Sequence, residues 1–310
     1  MKNPVVPTDY PSIHAALAVV NNGSKRKPRQ SGNVRILVRP GRYYMPKVVT
    51  VHAIHRTVQI TVEAMRLPEP FKLGRVCLSS KTRLRNEPIF RVTRGKLVLK
   101  DLYLEHVSMG VDISCGNAAI QVQPDSGETS HPLSAAVAKA SAVLESIEVM
   151  SHSGRGIMAL DGGHIQIKDS YIHDCAAAGV FVGGNGSRAD LRRVDVTENG
   201  TGNYFFGGIA RGHSGIYIDK GVVNITDSNV SRNLGSGIFI VSPDLTELTL
   251  EKTDILTNIN SPIQTCVGGT ERVIVGPECQ LAFAGSFSPR STILVAERAD
   301  DDSEAGLIDF

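Results

Sequence analysis

The side chains best suited to proton-transfer chemistry by type and spacing are Asp195 and Glu198. Asp174, His173, Tyr171 and Arg192/Arg193 stand close by in a repeating pattern. Glycoside hydrolysis needs two carboxyl groups about 5–9 Å apart across the scissile bond. His173 beside Asp174 could pass a proton near neutral pH. Residues in one slot of neighbouring repeats reach that spacing with no catalytic purpose, so the plainer reading is a solvated polar flank. A second candidate set is Met158, Phe181, Tyr217 and Phe239, which occupy the same slot of four repeats. With only 7 Tyr, 9 Phe and no Trp in the chain, that coincidence singles out the slot. If the apolar residues flanking it point inward, these four point outward as a ligand-binding stripe that stacks on sugar or anchors a protein. The competing expectation is that the insertion at 201–214 folds over them.

The elements that must position both sets are repeats. Gly156-Ile157-Met158-Ala159, Gly179-Val180-Phe181-Val182, Gly215-Ile216-Tyr217-Ile218 and Gly237-Ile238-Phe239-Ile240 open four units. Each unit goes on to a second pattern, as in Ile165 to Asp174, Ala189 to Asn199, Val223 to Asn233 and Glu247 to Asn258. A period in the low twenties with short β-runs is a solenoid signature. In the second pattern Leu104, Val149, Ile172, Val196, Val230 and Ile255 form an apolar slot expected to stack inward, with polar flanks outward. Asp174, Asn199, Asn233 and Asn258 end each copy and are expected to turn the chain, because Asn tolerates left-handed backbone.

Before these units, Ser12 to Val20 reads as a helix with Ile13, Ala16, Leu17 and Val20 on one face. Short strands follow at Val34 to Val38, Val48 to Val51 and Val58 to Val62. Gly110-Val111-Asp112-Ile113 reads as an early copy of the opening pattern, and Pro124 to Ser134 as a loop. The expected organisation is a cap helix and basic loop over 1–33, a parallel β-helix over 34–298 and an acidic tail over 299–310.

Hydrophobic content of 41% is enough for a continuous core. The net charge of +2 conceals a split. Residues 1–100 hold 20 Lys/Arg against 4 Asp/Glu, and the remainder 13 against 27. The basic third points to an acidic polysaccharide partner, or to head-to-tail self-association with the acidic remainder of another copy. It lacks the aromatic interleaving of a nucleic-acid site. Five cysteines without a C-x-x-C pair give neither a disulfide framework nor a zinc site, and they read as buried free thiols. No metal or cofactor is expected. No apolar run is long enough to span a bilayer, and no basic segment precedes an apolar core at the start of the sequence. The expectation is therefore a cytoplasmic or nuclear protein without a membrane partner.

Tyr10-Pro11-Ser12-Ile13-His14-Ala15-Ala16-Leu17, followed by Ile36-Leu37-Val38-Arg39-Pro40-Gly41-Arg42-Tyr43, resembles the opening of pectinesterases and of other right-handed parallel β-helix (pectin lyase-like) proteins. The resemblance implies an all-β solenoid capped by a short helix. It does not extend to activity. The paired Asp segments and the Arg motif of pectinesterases are absent, as is the Asp-Pro-His-Asp segment of alginate epimerases. Gly212-His213-Ser214-Gly215 resembles the Gly-His-Gly of polygalacturonases without its carboxylates. The chain is also similar to the β-helix repeat domains of intracellular adaptor proteins such as F-box substrate receptors. Two functions are therefore expected: a non-catalytic module presenting a face to a protein or glycan, or a lyase, hydrolase or epimerase acting on an acidic polysaccharide.

Overall fold

The computed structural model describes residues 5–23, 34–52, 59–64, 76–81, 87–108, 117–125, 139–202, 214–266, 272–283 and 293–295. Each coil makes three parallel strands, and each strand pairs with its counterpart one coil away. The opening stack includes Val49–His52, Ala118–Val122, Arg155–Leu160, Val180–Gly183, Ile216–Ile218, Ile238–Ile240, Ile263–Thr265 and Ile293–Val295. The second pattern supplies two stacks, because the chain turns in its middle. The middle stack contains Val34–Val38, Gln59–Ala64, Ala140–Glu145, Gly221–Thr226, Thr246–Glu251 and Val273–Val275. The closing stack contains Gly41–Tyr44, Val76–Lys81, Leu102–Val107, Glu148–Ser151, Asn229–Ser231 and Asp254–Asn258. His164–His173 and Arg188–Thr197 run through both.

The turn between middle and closing strands is made by one left-handed residue per coil. Asp101, Ser146, Asp169, Arg193, Asp227 and Lys252 have φ between 47° and 56°. Asp is among the side chains that tolerate this region best. The next residue braces the turn: the hydroxyls of Ser170, Ser228 and Thr253 donate to the carbonyls of Lys168, Thr226 and Glu251 at 2.7–2.8 Å. Two of these hydroxyl oxygens also accept from the neighbouring coil, Ser170 from the Ile147 N–H and Ser228 from the Val194 N–H.

Inside, the expected apolar slot is a fully buried ladder: Leu104, Val149, Ile172, Val196, Val230 and Ile255 are all 0% exposed. The helix spans Ile13–Gly23, and Ser12 Oγ accepts from the Ala15 N–H at its start. Ile13, Ala16 and Leu17 join the same core as the first coils. The side chain of Val20, the basic loop at 24–33 and the segment 299–310 lie outside the described residues.

Two expectations about the repeats change. The opening strand below the Gly156 unit is Ala118–Val122, in register through Ile157 and Ile120. Residues 110–116 lie outside the described residues. The asparagines, for their part, are not the left-handed residues. That position falls one residue earlier, at Asp174, Glu198, Arg232 and Thr257, with φ between 48° and 59°. Asn199, Asn233 and Asn258 instead turn fully inward as a hydrogen-bonded ladder. Asn233 Oδ1 accepts from both the N–H and the Nδ2 of Asn199, and Asn258 Oδ1 does the same for Asn233. Each Nδ2 also donates to a backbone carbonyl of the preceding coil: Ile172, Val196 and Val230. Cys175 takes the slot below Asn199, and its N–H donates to Asn199 Oδ1. The ladder also explains the glycine that opens each unit. A Cβ on Gly215 or Gly237 would sit 2.5 Å or 2.8 Å from the Nδ2 of Asn233 or Asn258.

Candidate functional site

Met158, Phe181, Tyr217 and Phe239 do share one register slot on the outer side of the opening stack. Gln121 lies below them and Gln264 above. The rings stack coil on coil: Phe181 on Tyr217 at 5.2 Å and Tyr217 on Phe239 at 5.4 Å, within 17° of parallel. The Arg155 guanidinium lies 4.4 Å over the Phe181 ring. Ala118, Met158 and Phe181 form an apolar cluster separate from the main core. The expectation of an open aromatic platform is corrected here, because Met158 and Phe181 are 1% exposed and Phe239 is 7%. Only Tyr217 is half-buried. Ring-on-ring packing and the cation over Phe181 account for part of this burial. Residues 203–213 of the insertion lie outside the described residues.

The carboxylate candidates fall on the closing stack and the turn after it. His173 follows Tyr171 on His164–His173, and Asp195 stands opposite Tyr171 one coil on. Asp174 and Glu198 occupy the left-handed turn position in successive coils. The structure brings His173 and Asp174 together, with His173 Nδ1 2.7 Å from Asp174 Oδ2. It does not make a catalytic pair of Asp195 and Glu198. Glu198 accepts from Arg232 Nε at 2.9 Å, and Asp195 accepts from Asn229 Nδ2 at 3.3 Å. Arg192 and Arg193 lie at the other turn of the coil, paired with Asp227 and Asp169.

His173 is held on both sides, for its Nε2 lies 3.3 Å from Glu148 Oε1. His173 is 7% exposed. Tyr171 stacks on it with centroids 4.1 Å apart and planes 17° from parallel. Its phenol oxygen accepts from Thr197 Oγ1 at 3.3 Å. The result is a half-buried tyrosine clamped in one orientation beside the exposed carboxylate of Asp195.

The same outer face continues in register towards the first coils through Glu148, Tyr103, Cys77 and Arg42 in one column. His173, Met150, Glu105, Ser79 and Tyr44 form the column beside it. Arg42 pairs with Glu105, and burial pushes the Tyr103 hydroxyl pKa up, helped by the nearby Glu105. Tyr103 and Glu148 are polar flanks of the apolar slot, expected to face outward but not picked as candidates from the sequence, and Arg42 was not singled out at all. Glu148 could have been found by counting one coil back from Tyr171. Arg42 could not, because the first coils carry no legible repeat.

A second polar knot lies on the outer side of the middle stack. Asp190 accepts from Arg188, from Asn224 and from His164 Nε2 at 2.8 Å. Burial opposes its ionisation, but these donors prevail and hold the carboxyl down to about 2. Among the described residues no three His, Cys, Asp or Glu side chains converge as metal ligands. Of the described cysteines only Cys175 is buried, where burial pushes its thiol pKa up; Cys77, Cys266 and Cys279 are half-buried. Cys115 lies outside the described residues.

The family model described as the right handed beta helix region matches residues 110–271. No curated protein matches the chain. Among solved structures, the periplasmic alginate epimerase AlgG aligns at 10% identity and a TM-score of 0.41, over 77% of this chain and 66% of its own. Pectate lyase Pel9A aligns at 12% identity and 0.38, over 88% and 75%. The A-module of the Azotobacter vinelandii mannuronan C-5 epimerase AlgE6 aligns at 12% identity and 0.32, over 81% and 75%. The chain thus spans about two thirds of the first of these proteins and three quarters of the other two.

Proposed function

The chain belongs to the right-handed beta helix family, and from that premise we propose that it is a non-catalytic binding module that lays a glycan along the outer face of its closing stack. The observation that carries this reading is the clamped Tyr171. Its ring is stacked on His173, which is itself held between Glu148 and Asp174. A side chain already fixed in place loses little entropy when a ligand arrives. Tyr103 lies two coils below on the same column, with Glu148 between them and Asp195 above Tyr171. Coils repeat every ~4.8 Å, so this column offers aromatic, carboxylate, aromatic, carboxylate at a regular interval suited to an elongated ligand.

Binding is favoured over catalysis because a general base must be reachable from the substrate. His173 is 7% exposed with both nitrogens engaged, and Glu198 is tied to Arg232. The carboxylates of Glu105, Glu148 and Asp195 favour a neutral or amino-sugar glycan over a uronate polymer on this face. The test is a panel of immobilised neutral, amino-sugar and uronate glycans, run beside a depolymerisation assay on polygalacturonate and alginate. The reading expects saturable binding to the neutral or amino-sugar group without turnover. Turnover of a uronate polymer that is abolished by Asp195→Asn would overturn it.

A further inference from the structure

At the corner where the opening stack hands over to the middle stack, successive coils leave a solvent-open cleft of ≈ 260 Å³. Its lining includes Arg188, Lys220 and Arg272, with Glu247 as the single carboxylate and Leu245 as an apolar wall. Asp219 and Asp244 are neighbours in sequence but do not line it. Leu245 is 59% exposed. Ile274, two residues on from Arg272 and so on the same outer side of its strand, is 62% exposed. Arg188 is held by Asp190 and Arg272 lies 3.6 Å from Glu247, whereas Lys220 has no carboxylate partner among the described residues. A cationic, partly apolar corner stands out in residues 101–310, where 27 acidic residues outnumber 13 basic ones.

We propose that this corner is the docking site for the chain's own acidic segment, residues 300–310. That segment carries Asp300, Asp301, Asp302, Glu304 and Asp309 with no Lys or Arg, and it offers Leu307, Ile308 and Phe310 to the apolar wall. The register places its origin. Ile216–Ile218 leads into Lys220, and Ile263–Thr265 leads towards Arg272, at this same corner. Ile293–Val295 pairs with Ile263–Thr265, so that strand ends at this corner, one coil past Arg272. Lys220 lies three coils back from Val295, about 14 Å at ~4.8 Å per coil. The five residues from Val295 to Asp300 can span about 17 Å. The closing-stack face is separate from this corner, so either proposal can fail without the other.

The test uses the full chain and a water-soluble carbodiimide, which joins an amine to a carboxylate in direct contact with loss of water. The expected product is a monomer carrying an amide between Lys220 Nζ and Asp300, Asp301, Asp302 or Glu304, mapped by mass spectrometry. Its yield should fall several-fold in high salt, where the Debye length shrinks to about 3 Å. Lys220→Arg, which keeps the charge and the fold, should abolish it, as should Asp300→Asn, Asp301→Asn, Asp302→Asn and Glu304→Gln combined. The proposal is overturned if Lys220 couples only to Asp219 or Glu247, if the amide appears only between two chains, or if none forms.

Discussion

At the residue scale, the buried asparagine ladder ties successive coils together through side-chain hydrogen bonds. Asn233 accepts two hydrogen bonds from Asn199 and donates to Val196 and Asn258, all out of water. Asn233→Ala strands several buried polar groups at once and should cost about 2–4 kcal/mol. Urea unfolding measures it, and a loss below ~1 kcal/mol would contradict the ladder's role. His106 makes a second residue-scale prediction. Its Nε2 donates to the Glu87 carbonyl and its Nδ1 accepts from Ser151 Oγ, which fixes a neutral ring. Burial lowers its pKa from 6.5 to about 4. The unfolded chain therefore takes up a proton below pH 6.5 that the folded chain refuses until about pH 4. Stability should fall by roughly 3 kcal/mol across that window and stay level above it. His106→Gln should remove that pH dependence while lowering stability throughout. The sequence showed that asparagines end each repeat, but not that they turn inward. Residue type suggests tolerance of left-handed backbone, whereas the hydrogen-bond demand of the coil interior decides the placement.

At the element scale, each coil is three short strands joined by two kinds of left-handed turn, and the strands were legible because apolar side chains recur at fixed slots. Gly156, Gly179, Gly215 and Gly237 marked the start of each opening strand, and the structure supplies their cause. Gly237→Ala would press a methyl against Ile255 Cγ2, the Pro262 carbonyl and Asn258 Nδ2. That overpacking should cost about 1–3 kcal/mol. Thermal unfolding of Gly237→Ala at wild-type stability would show that the close packing of this turn is not limiting. The Met158, Phe181, Tyr217 and Phe239 slot was also legible, together with its outward direction. Its burial was not, because alternation fixes which side of a sheet a residue faces but not what packs against that side.

At the scale of the whole molecule, stacking turns one repeat into continuous columns, and function must be read down a column. Part of the opposite charge of the two portions of the chain is neutralised between them, as in Arg42–Glu105 and Lys100–Glu145. The sequence pointed to an acidic partner from the bulk charge of the first third. The local charge of the closing face points the other way, since Glu105, Glu148 and Asp195 sit beside its tyrosines. That face was only partly legible. Asp195, His173 and Asp174 were found in the best repeats, and Tyr103 and Glu148 flank the legible slot at Leu104 and Val149, whereas Arg42 enters the column from a coil with no legible repeat. The measurement that tests the account most directly is calorimetric titration of the best-binding glycan from the panel into wild-type protein and into Tyr103→Ala and Tyr171→Ala. Removing a stacking anchor costs ~1–3 kcal/mol at hot-spot positions, so each variant should bind about 10- to 100-fold more weakly while unfolding at a near-unchanged temperature. Undiminished binding by both variants would contradict the account.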